Sequence, residues 1–272
     1  VILRSDKLDM LLLAPLLVGW RDRLAHFEIM VHCHTKKTPH AVGGFGERWR
    51  RSLVATTFPG QELCDWMALR LSAVDAGLVI PWPHRFVAHN VNWGQNFRQT
   101  RNLMRAMGLT IQRHTVLAFP AGSFFWARVD SLQPLFKLQL RWQDFAAEPI
   151  GGDGTLAHAL ERCIGLVPSF ANRVSHALWM GSQCHDIDSE DLSHQACFVR
   201  LPSETQSRSN AERLFNMGLE MAMRIQGPRD QSIALPGLTS RSLKNLIFKT
   251  SDQNPLQLSS FQFIPGQGQA GA

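Results

Sequence analysis

The stretch "DFAAEPIGGDGTLAHALER", residues 144–162, places an acidic, glycine-rich loop directly before a helical pattern. Leu156, Leu160 and Ile164 recur at i, i+4 and i+8, a spacing that puts apolar side chains on one face of an α-helix. The sequence therefore predicts a loop followed by a helix that begins just after Asp153 and packs against a core through this face.

Asp153 stands between two glycines at the start of this helix, and two hypotheses explain it. As a helix cap, Asp153 or Thr155 would accept hydrogen bonds from the free N–H groups of the first turn. As a general base, an accessible carboxylate at the mouth of an α/β crevice would take a proton, and the helix N-terminus would keep it ionised. Local chemistry leaves both hypotheses open.

Outward from this stretch, short apolar strands alternate with helical patterns, which indicates an α/β fold. The predicted strands are "FEIMVHCH" (27–34), "AGLVIPWP" (76–83) and a strand, turn and strand in "TVLAFPAGSFFWARV" (115–129). The predicted helices lie around residues 9–24, in "ERWRRSLVATTF" (47–58), in "GQELCDWMALRLSA" (60–73) and within residues 93–108.

Composition indicates a packed protein with a moderate basic excess. Of 272 residues 44% are hydrophobic, and the formal net charge is +6, which favours phosphate groups, nucleic acid or an anionic membrane surface as partners. No apolar run reaches the roughly 18 residues that a membrane-spanning helix needs. Beyond residue 181 the chain becomes polar, so we expect a domain over residues 1–180 and a polar extension over residues 181–272 that ends in a flexible tail.

The segment "VHCHTKKTPH" follows the first predicted strand and supplies an imidazole, a hydroxyl and two ammonium groups. At the carboxyl end of a strand in an open α/β sheet, such a cluster suits a phosphate or diphosphate. A solvated surface turn is the alternative. Two weaker hypotheses are zinc sites, whose candidate ligands are His32, Cys33, His34 and His40 in one case and Cys184, His185, His194 and Cys197 in the other.

Five segments in this order, "HTKKTPH", "GERWRRSL", "WGQN", "FPAGSFFWARVDSLQPL" and "DFAAEPIGGDGTLAHALER", resemble the rhamnan-synthesis F family of bacterial polysaccharide and lipopolysaccharide assembly. The resemblance covers roughly residues 1–180. It implies a glycosyltransferase of the GT-A type, an α/β fold that binds a nucleotide-diphosphate sugar and transfers the sugar, often rhamnose, to a growing glycan. The first strands of such a domain would lie upstream of Val1, so we expect an N-terminally truncated domain.

The resemblance also implies roles for individual residues. It assigns the catalytic base to Asp153, with Glu148 in reserve. It assigns the donor diphosphate to His34, Thr35, Lys36, Lys37 and Asp9, and the acceptor side to Gly122, Ser123, Trp126 and Arg128. Because "HTKK" stands where related transferases carry an Asp-x-Asp metal site, no metal ligand is assigned, and a divalent metal (Mg²⁺ or Mn²⁺) is not expected as a cofactor.

The implied partners are a nucleotide-diphosphate sugar donor and a glycan or lipid-linked glycan acceptor. The basic balance also suits a peripheral contact with the anionic inner face of the cell membrane, and hence a cytoplasmic location. Two alternatives are a catalytically inactive remnant that binds glycans or partner enzymes, and a nucleic-acid-binding module based on "NFRQTRNLMRAMG" (96–108). Arginines at helical spacing more often form a solvated face, so no nucleic acid is expected.

Overall fold

A computed structural model describes residues 13–34, 45–88, 90–146, 152–180 and 196–201. These residues form an α/β fold around one five-stranded sheet. The strands are β1 (Ile29–His32), β2 (Ala76–Pro81), β3 (Phe125–Arg128), β4 (Val174–Met180) and β5 (Ala196–Arg200). The α-helices are α1 (Arg21–Leu24), α2 (Phe45–Thr57), α3 (Gln61–Ser72), α4 (Arg85–Ala88), α5 (Phe97–Ala106), α6 (Gln133–Phe136) and α7 (Leu156–Phe170).

The sheet is mixed, in the order β1-β3-β2-β4-β5. β3 runs antiparallel to both β1 and β2, β4 is parallel to β2, and β5 is antiparallel to β4. Consequently β1, β2 and β4 run in the same direction and end at the same edge, where β3 begins. We call this the carboxyl edge, marked by His32, Pro81, Met180 and Phe125. In open α/β sheets it is the usual place for a ligand crevice.

α7 is held in the core by a buried face and by one close backbone approach. Leu160, Ile164 and Val167 are fully buried, and each such side chain contributes roughly 1.5–3 kcal/mol when it is removed from water. A Cβ on Gly165 would lie 2.6 Å from the Phe119 Cα, and closer still to the carbonyl oxygen of residue 118. α7 therefore packs directly on the segment that leads into β3. This contact fixes the position of α7 relative to the carboxyl edge.

The sequence prediction of an α/β class is confirmed, and the predicted elements within 27–34, 47–58, 60–73, 76–83 and 93–108 correspond to β1, α2, α3, β2 and α5. The predicted helix after Asp153 is α7, which continues to Phe170. In the described part of the predicted helix over 9–24, a π-helix (Pro15–Gly19) precedes α1.

Two differences from the sequence prediction have physical reasons. Residues 115–120 form no strand; this segment lies against α7 at Gly165, where backbone meets helix instead of a neighbouring strand. β4 and β5 were not predicted, since buried Ser175 and His176 interrupt the apolar pattern of β4. Because β5 lies beyond residue 181, the sheet extends past the boundary placed near residue 180. Among the described residues no helix is long and apolar enough to cross a membrane.

Candidate functional site

The turn at Gly122 and Ser123 is the centre of the candidate site. Both residues adopt the left-handed conformation, with φ angles of 90° and 59°. This conformation is costly for a non-glycine residue such as Ser123, so contacts around the turn must hold it in place. The turn stands just before β3, at the carboxyl edge of the sheet.

Two histidines from the end of β1 bind the carbonyl groups of this turn. Nδ1 of His32 lies 2.6 Å from the Ser123 carbonyl oxygen, and Nε2 of His34 lies 2.7 Å from the Gly122 carbonyl oxygen. A carbonyl oxygen can only accept, so each of these ring nitrogens carries the proton. His34 also packs against Phe124, at 4.8 Å between ring centroids. The turn thereby fixes the orientation of the two imidazoles.

Glu161 of α7 binds the same turn through its donors. Its Oε1 accepts hydrogen bonds from the Gly122 N–H at 2.9 Å and from the Ser123 hydroxyl at 3.0 Å. Burial of the side chain, which is only 12% exposed, raises the pKa of Glu161 to about 7, although Arg162 and the hydrogen bonds from the turn oppose the rise. This carboxyl group therefore changes its charge near neutral pH.

Side chains of α2 cover the outer side of the turn. A Cβ on Gly122 would lie 2.8 Å from Leu53 Cδ1 and 3.0 Å from Trp49 Cζ2, so only glycine fits beneath them. Phe45 stacks on Trp49 at 6.0 Å and contacts His84 at 6.2 Å, measured between ring centroids. Because His84 follows β2, these rings form an aromatic lip next to the carboxyl edge.

Asp153 joins two loops instead of capping its own helix. The N-cap residue of α7 is Thr155, and no side chain caps the helix. Oδ2 of Asp153 accepts a hydrogen bond from the Gln95 N–H at 3.0 Å, and Oδ1 accepts one from the Asn96 side-chain amide. Asn96 is the N-cap residue of α5, so Asp153 holds the entry of a neighbouring helix.

The electrostatic environment keeps Asp153 ionised. Its burial raises the pKa, but the hydrogen bonds from the Gln95 N–H, the Asn96 side chain and the Gly154 N–H, with the charge of Arg162, lower the pKa below its ordinary value. The side chain is 32% exposed, so solvent reaches the carboxylate. A low pKa ensures the charged form and reduces the strength of the group as a base.

Arg162 connects the two carboxylates. Its Nη2 lies 3.8 Å from Asp153 Oδ1, and its Nη1 lies 3.9 Å from Glu161 Oε2. The guanidinium also donates hydrogen bonds to the backbone carbonyls of Asn92, at 3.2 Å, and His158, at 2.8 Å. With its side chain only 6% exposed, Arg162 is a buried cation shared by the carboxylates of Asp153 and Glu161 and by the loop before α5.

Of the residues predicted for the site, the structure brings His34, Gly122 and Ser123 into direct contact and connects Asp153 to them through Arg162 and Glu161. Trp126 lies elsewhere, on the sheet face that packs against α3, where its indole N–H donates to the carbonyl of Thr57, at the end of α2, at 2.8 Å. The remaining predicted residues, Glu148, Thr35, Lys36, Lys37 and Asp9, lie outside the described residues.

Arg128 lies at the opposite end of β3 from the turn, paired in register with Ile29. Its guanidinium contacts Glu28 at 2.7 Å and Asp130 at 3.0 Å, and it donates to the backbone carbonyl of Ser72 at 3.1 Å. These partners account for its charge and most of its donors, and they place the side chain away from the carboxyl edge.

For a metal ion, the described residues offer no group of three or more His, Cys, Asp or Glu side chains. His40, Cys184, His185 and His194 of the two zinc hypotheses lie outside the described residues.

Glu161 and Arg162 were missed by the prediction from sequence, although both end the stretch that directed attention to Asp153. The available signal was the presence of two adjacent charged residues in the apolar run "LAHALERCIGLV". Charged residues that face a core are rarely tolerated unless they are paired. Their partners, at Gly122 and Asn92, lie 39 and 70 positions away and cannot be read from spacing.

The fold and the site define an α/β protein in which carboxylates and strand-end histidines meet around one turn at the carboxyl edge of the sheet. This chain belongs to the rhamnan synthesis protein F family, which matches residues 12–172, more than half of its length. The resemblance seen in the sequence motifs is thus confirmed, and it links the chain to polysaccharide synthesis.

Two curated relatives are similar to this chain. The "Uncharacterized protein WxcX" of Xanthomonas campestris pv. campestris strain ATCC 33913 is 31% identical over 153 residues, and that of strain B100 is 30% identical over the same length. The alignment covers 51% of this chain and 19% of each relative, so the chain spans about a fifth of the length of the proteins it matches. No solved structure matches.

Proposed function

We propose that this chain carries a glycosyltransferase site of the GT-A type, which transfers a sugar such as rhamnose from a nucleotide-diphosphate donor to a growing surface polysaccharide or lipopolysaccharide chain. The observation that supports it most is the meeting of His34, the Gly122–Ser123 turn and the carboxylates in and just before α7 at the carboxyl edge of an α/β sheet. The family membership supports the same direction.

In this proposal the donor diphosphate lies beyond the end of β1. His34 is followed in the chain by Thr35, Lys36 and Lys37. Two ammonium groups and an imidazole neutralise the charge that develops on the diphosphate as the bond to the sugar breaks. Asp9 is kept as a further donor-site residue.

Asp153 is proposed as the general base. It removes the proton of the acceptor hydroxyl while that oxygen forms a bond to the anomeric carbon and the bond from this carbon to the diphosphate breaks, which inverts the anomeric configuration. Its solvent access and its ionised state support this role. Glu148, in the same loop, is the reserve candidate.

The acceptor sugar is proposed to lie against the aromatic lip, which covers the buried turn. Phe45, Trp49 and His84 offer ring faces on which a sugar can pack, next to Gly122 and Ser123. Trp126 and Arg128 have no part in this proposed acceptor site, because their polar groups are bonded to Thr57 and Glu28 elsewhere in the protein.

Calorimetric titration with a panel of nucleotide sugars, including dTDP-rhamnose, tests the donor site. We expect the wild-type chain to bind at least one donor without metal, and Lys36→Ala/Lys37→Ala to lose that binding. Lys137→Ala, at an exposed lysine directly after α6, should keep it. Asp153→Asn should retain donor binding and lose sugar transfer. If no donor binds, the proposal is wrong and the inactive remnant becomes the better interpretation.

A membrane contact is proposed for α5, whose Arg98, Arg101 and Arg105 are exposed and form no ion pair with the described residues. An anionic inner leaflet complements this charge, at about 1 kcal/mol for each arginine near the surface. Sedimentation with vesicles containing phosphatidylglycerol should fall when all three are changed to Gln, and not when Arg23, Arg51 and Arg141 are changed. Equal sedimentation, or salt-sensitive binding to duplex DNA alone, would reject the contact.

A further inference from the structure

Four hydrogen bonds among the described residues join the Gly122–Ser123 turn to α7 on one side and to the end of β1 on the other. From one side, Glu161 of α7 accepts from the Gly122 N–H and the Ser123 hydroxyl. From the other side, His34, just after β1, and His32, the last residue of β1, donate to the carbonyl oxygens of Gly122 and Ser123. The turn therefore connects the Glu161 carboxylate to the imidazoles of His32 and His34 through hydrogen bonds.

We propose that Glu161 is a positioning residue for the donor-diphosphate site, which holds His34 in place through the Gly122–Ser123 turn. This role rests on the proposed function, since it gives a purpose to the orientation of His34. Glu161 itself touches neither donor nor acceptor in this proposal.

The geometry explains why the turn needs such a support. Ser123 is in the left-handed conformation and is 1% exposed, so its strained backbone cannot be stabilised by water. Trp49 and Leu53 close the turn on the side of α2, where there is no space for it to move. Without the Glu161 acceptor, rotation of the peptide unit after Gly122 would relieve the strain and direct the Gly122 carbonyl away from His34.

The reach of the side chain is what this role requires, and its charge is secondary. Both hydrogen bonds from the turn go to one oxygen, Oε1. Gln presents an oxygen at the same distance from the backbone, whereas Asp keeps the charge but is one methylene shorter. The proposal therefore predicts that Gln replaces Glu161 and that Asp does not.

The test combines donor titration with NMR of the histidine rings. For the wild-type chain and for Glu161→Gln we expect dTDP-sugar affinities within about threefold of each other, and for Glu161→Ala and Glu161→Asp a loss of about tenfold, equivalent to one hydrogen-bonded contact. In the unliganded chain, the ring ¹⁵N signals of His34, assigned by comparison with His34→Gln, should shift in the Ala and Asp variants alone.

A control separates positioning from loss of stability. Cys163→Ala opens a cavity at a fully buried residue of the same helix, and should lower stability without moving the His34 signals or the donor affinity. If the Ala and Asp variants bind donor like the wild type with unchanged His34 signals, the role is wrong. A Gln variant as impaired as Ala would also overturn it, because charge would then be the requirement.

Failure of the proposed function gives a different pattern. If the wild-type chain binds no nucleotide sugar, the donor site and the role of Glu161 fall together. If the wild type binds and only the His34 signals and affinities of the variants disagree with expectation, the donor site stands and the positioning role alone is rejected. Should Glu161→Ala not fold, the contrast between Gln and Asp decides the question.

Discussion

The carboxyl groups in the loop around Asp153 and at the Gly122–Ser123 turn have similar hydrogen-bond donors but opposite pKa shifts. In each, a carboxylate from α7 or its entry accepts hydrogen bonds from backbone N–H groups and from one side-chain donor. Burial raises the pKa of both groups. At Glu161 burial prevails and the pKa is about 7, whereas at Asp153 the hydrogen bonds prevail and the pKa lies below its ordinary value.

This difference follows from solvent access and not from the number of partners. The Asp153 side chain is 32% exposed and that of Glu161 is 12% exposed, while both share Arg162 as the nearest cation. Two carboxyl groups with separated pKa values are a common arrangement in sites that handle protons. Here the partly exposed Asp153 stays ionised and the buried Glu161 titrates near neutrality, so the charges of the two regions respond differently to pH.

Gly165→Ala should have the largest effect, because it disturbs both regions at once. Its Cβ would collide with the backbone at residues 118 and 119 and force α7 outward. We expect a loss of about 3 kcal/mol or more in the free energy of unfolding, measured by urea denaturation. Gly152→Ala, where nothing lies within 4 Å, is the matched control and should change little. Similar stabilities for the two variants would contradict the close packing of α7.

The difference between the carboxylates can be measured through Glu161→Gln. Because the pKa of Glu161 is raised in the folded state, protonation of this carboxyl group stabilises the fold. The contribution is fully present below the unfolded pKa of about 4.5 and is lost as the pH rises through about 7. The wild type should therefore lose roughly 3 kcal/mol relative to Glu161→Gln between pH 4.5 and pH 7 or above.

Urea denaturation over this pH range measures the Glu161 effect, with Glu62→Gln on the exposed face of α3 as the control. A gain in stability for Glu161→Gln at pH 8 would show that an ionised carboxylate is kept there at a cost, as is common in functional sites. A difference that is constant with pH would mean that Glu161 does not titrate in this range.

Gly122→Ala sharpens the comparison from the side of the turn. Its φ of 90° is unfavourable for alanine, and the new Cβ would meet Leu53 at 2.8 Å and Trp49 at 3.0 Å. We expect a loss of about 2 kcal/mol by thermal or urea denaturation. Gly108→Ala, with a φ of 76° and nothing within 4 Å, isolates the backbone strain and should lose about 1 kcal/mol. Equal losses would show that α2 does not press on the turn.

The sequence was sufficient for the elements with clear periodicity and insufficient for contacts across the chain. The spacing of Leu156, Leu160 and Ile164 predicted α7, and their burial confirms its inner face. The apolar segment 115–120 resembles a strand in the same way as "AGLVIPWP" does, but strand formation requires a free neighbouring edge, which local pattern does not reveal. β4 was missed because its two buried polar residues obscure its pattern.

The candidate site was predictable in part. The family motifs directed attention to His34, Gly122, Ser123 and Asp153, and the structure connects these residues. Glu161 was not predictable, since burial and the distant turn, rather than its sequence neighbours, determine its pKa and its contacts. The capping hypothesis correctly expected Asp153 to accept hydrogen bonds near a helix start, but the helix is α5 and not α7. The donors, Asn96 and Gln95, lie 57 and 58 positions earlier in the chain.

Asp153→Asn should have the smallest effect and a pH dependence opposite to that of Glu161. The NH₂ group of Asn would face one of the donors, the Gln95 N–H or the Asn96 amide, and Arg162 would lose one carboxylate partner. We expect a loss of about 1–2 kcal/mol in the free energy of unfolding. A pKa lowered in the folded state gives stability that is present above the unfolded pKa and lost as pH falls through the folded pKa. The difference from the wild type should therefore be constant between pH 5 and 8, by urea denaturation, and shrink below about pH 4. Asp22→Asn, whose side chain is 95% exposed, should match the wild type throughout. If the stability difference between Asp153→Asn and the wild type instead changed around pH 7, the two carboxyl groups would titrate as one coupled pair through Arg162. The contrast between an ionised Asp153 and a titrating Glu161 would then be wrong.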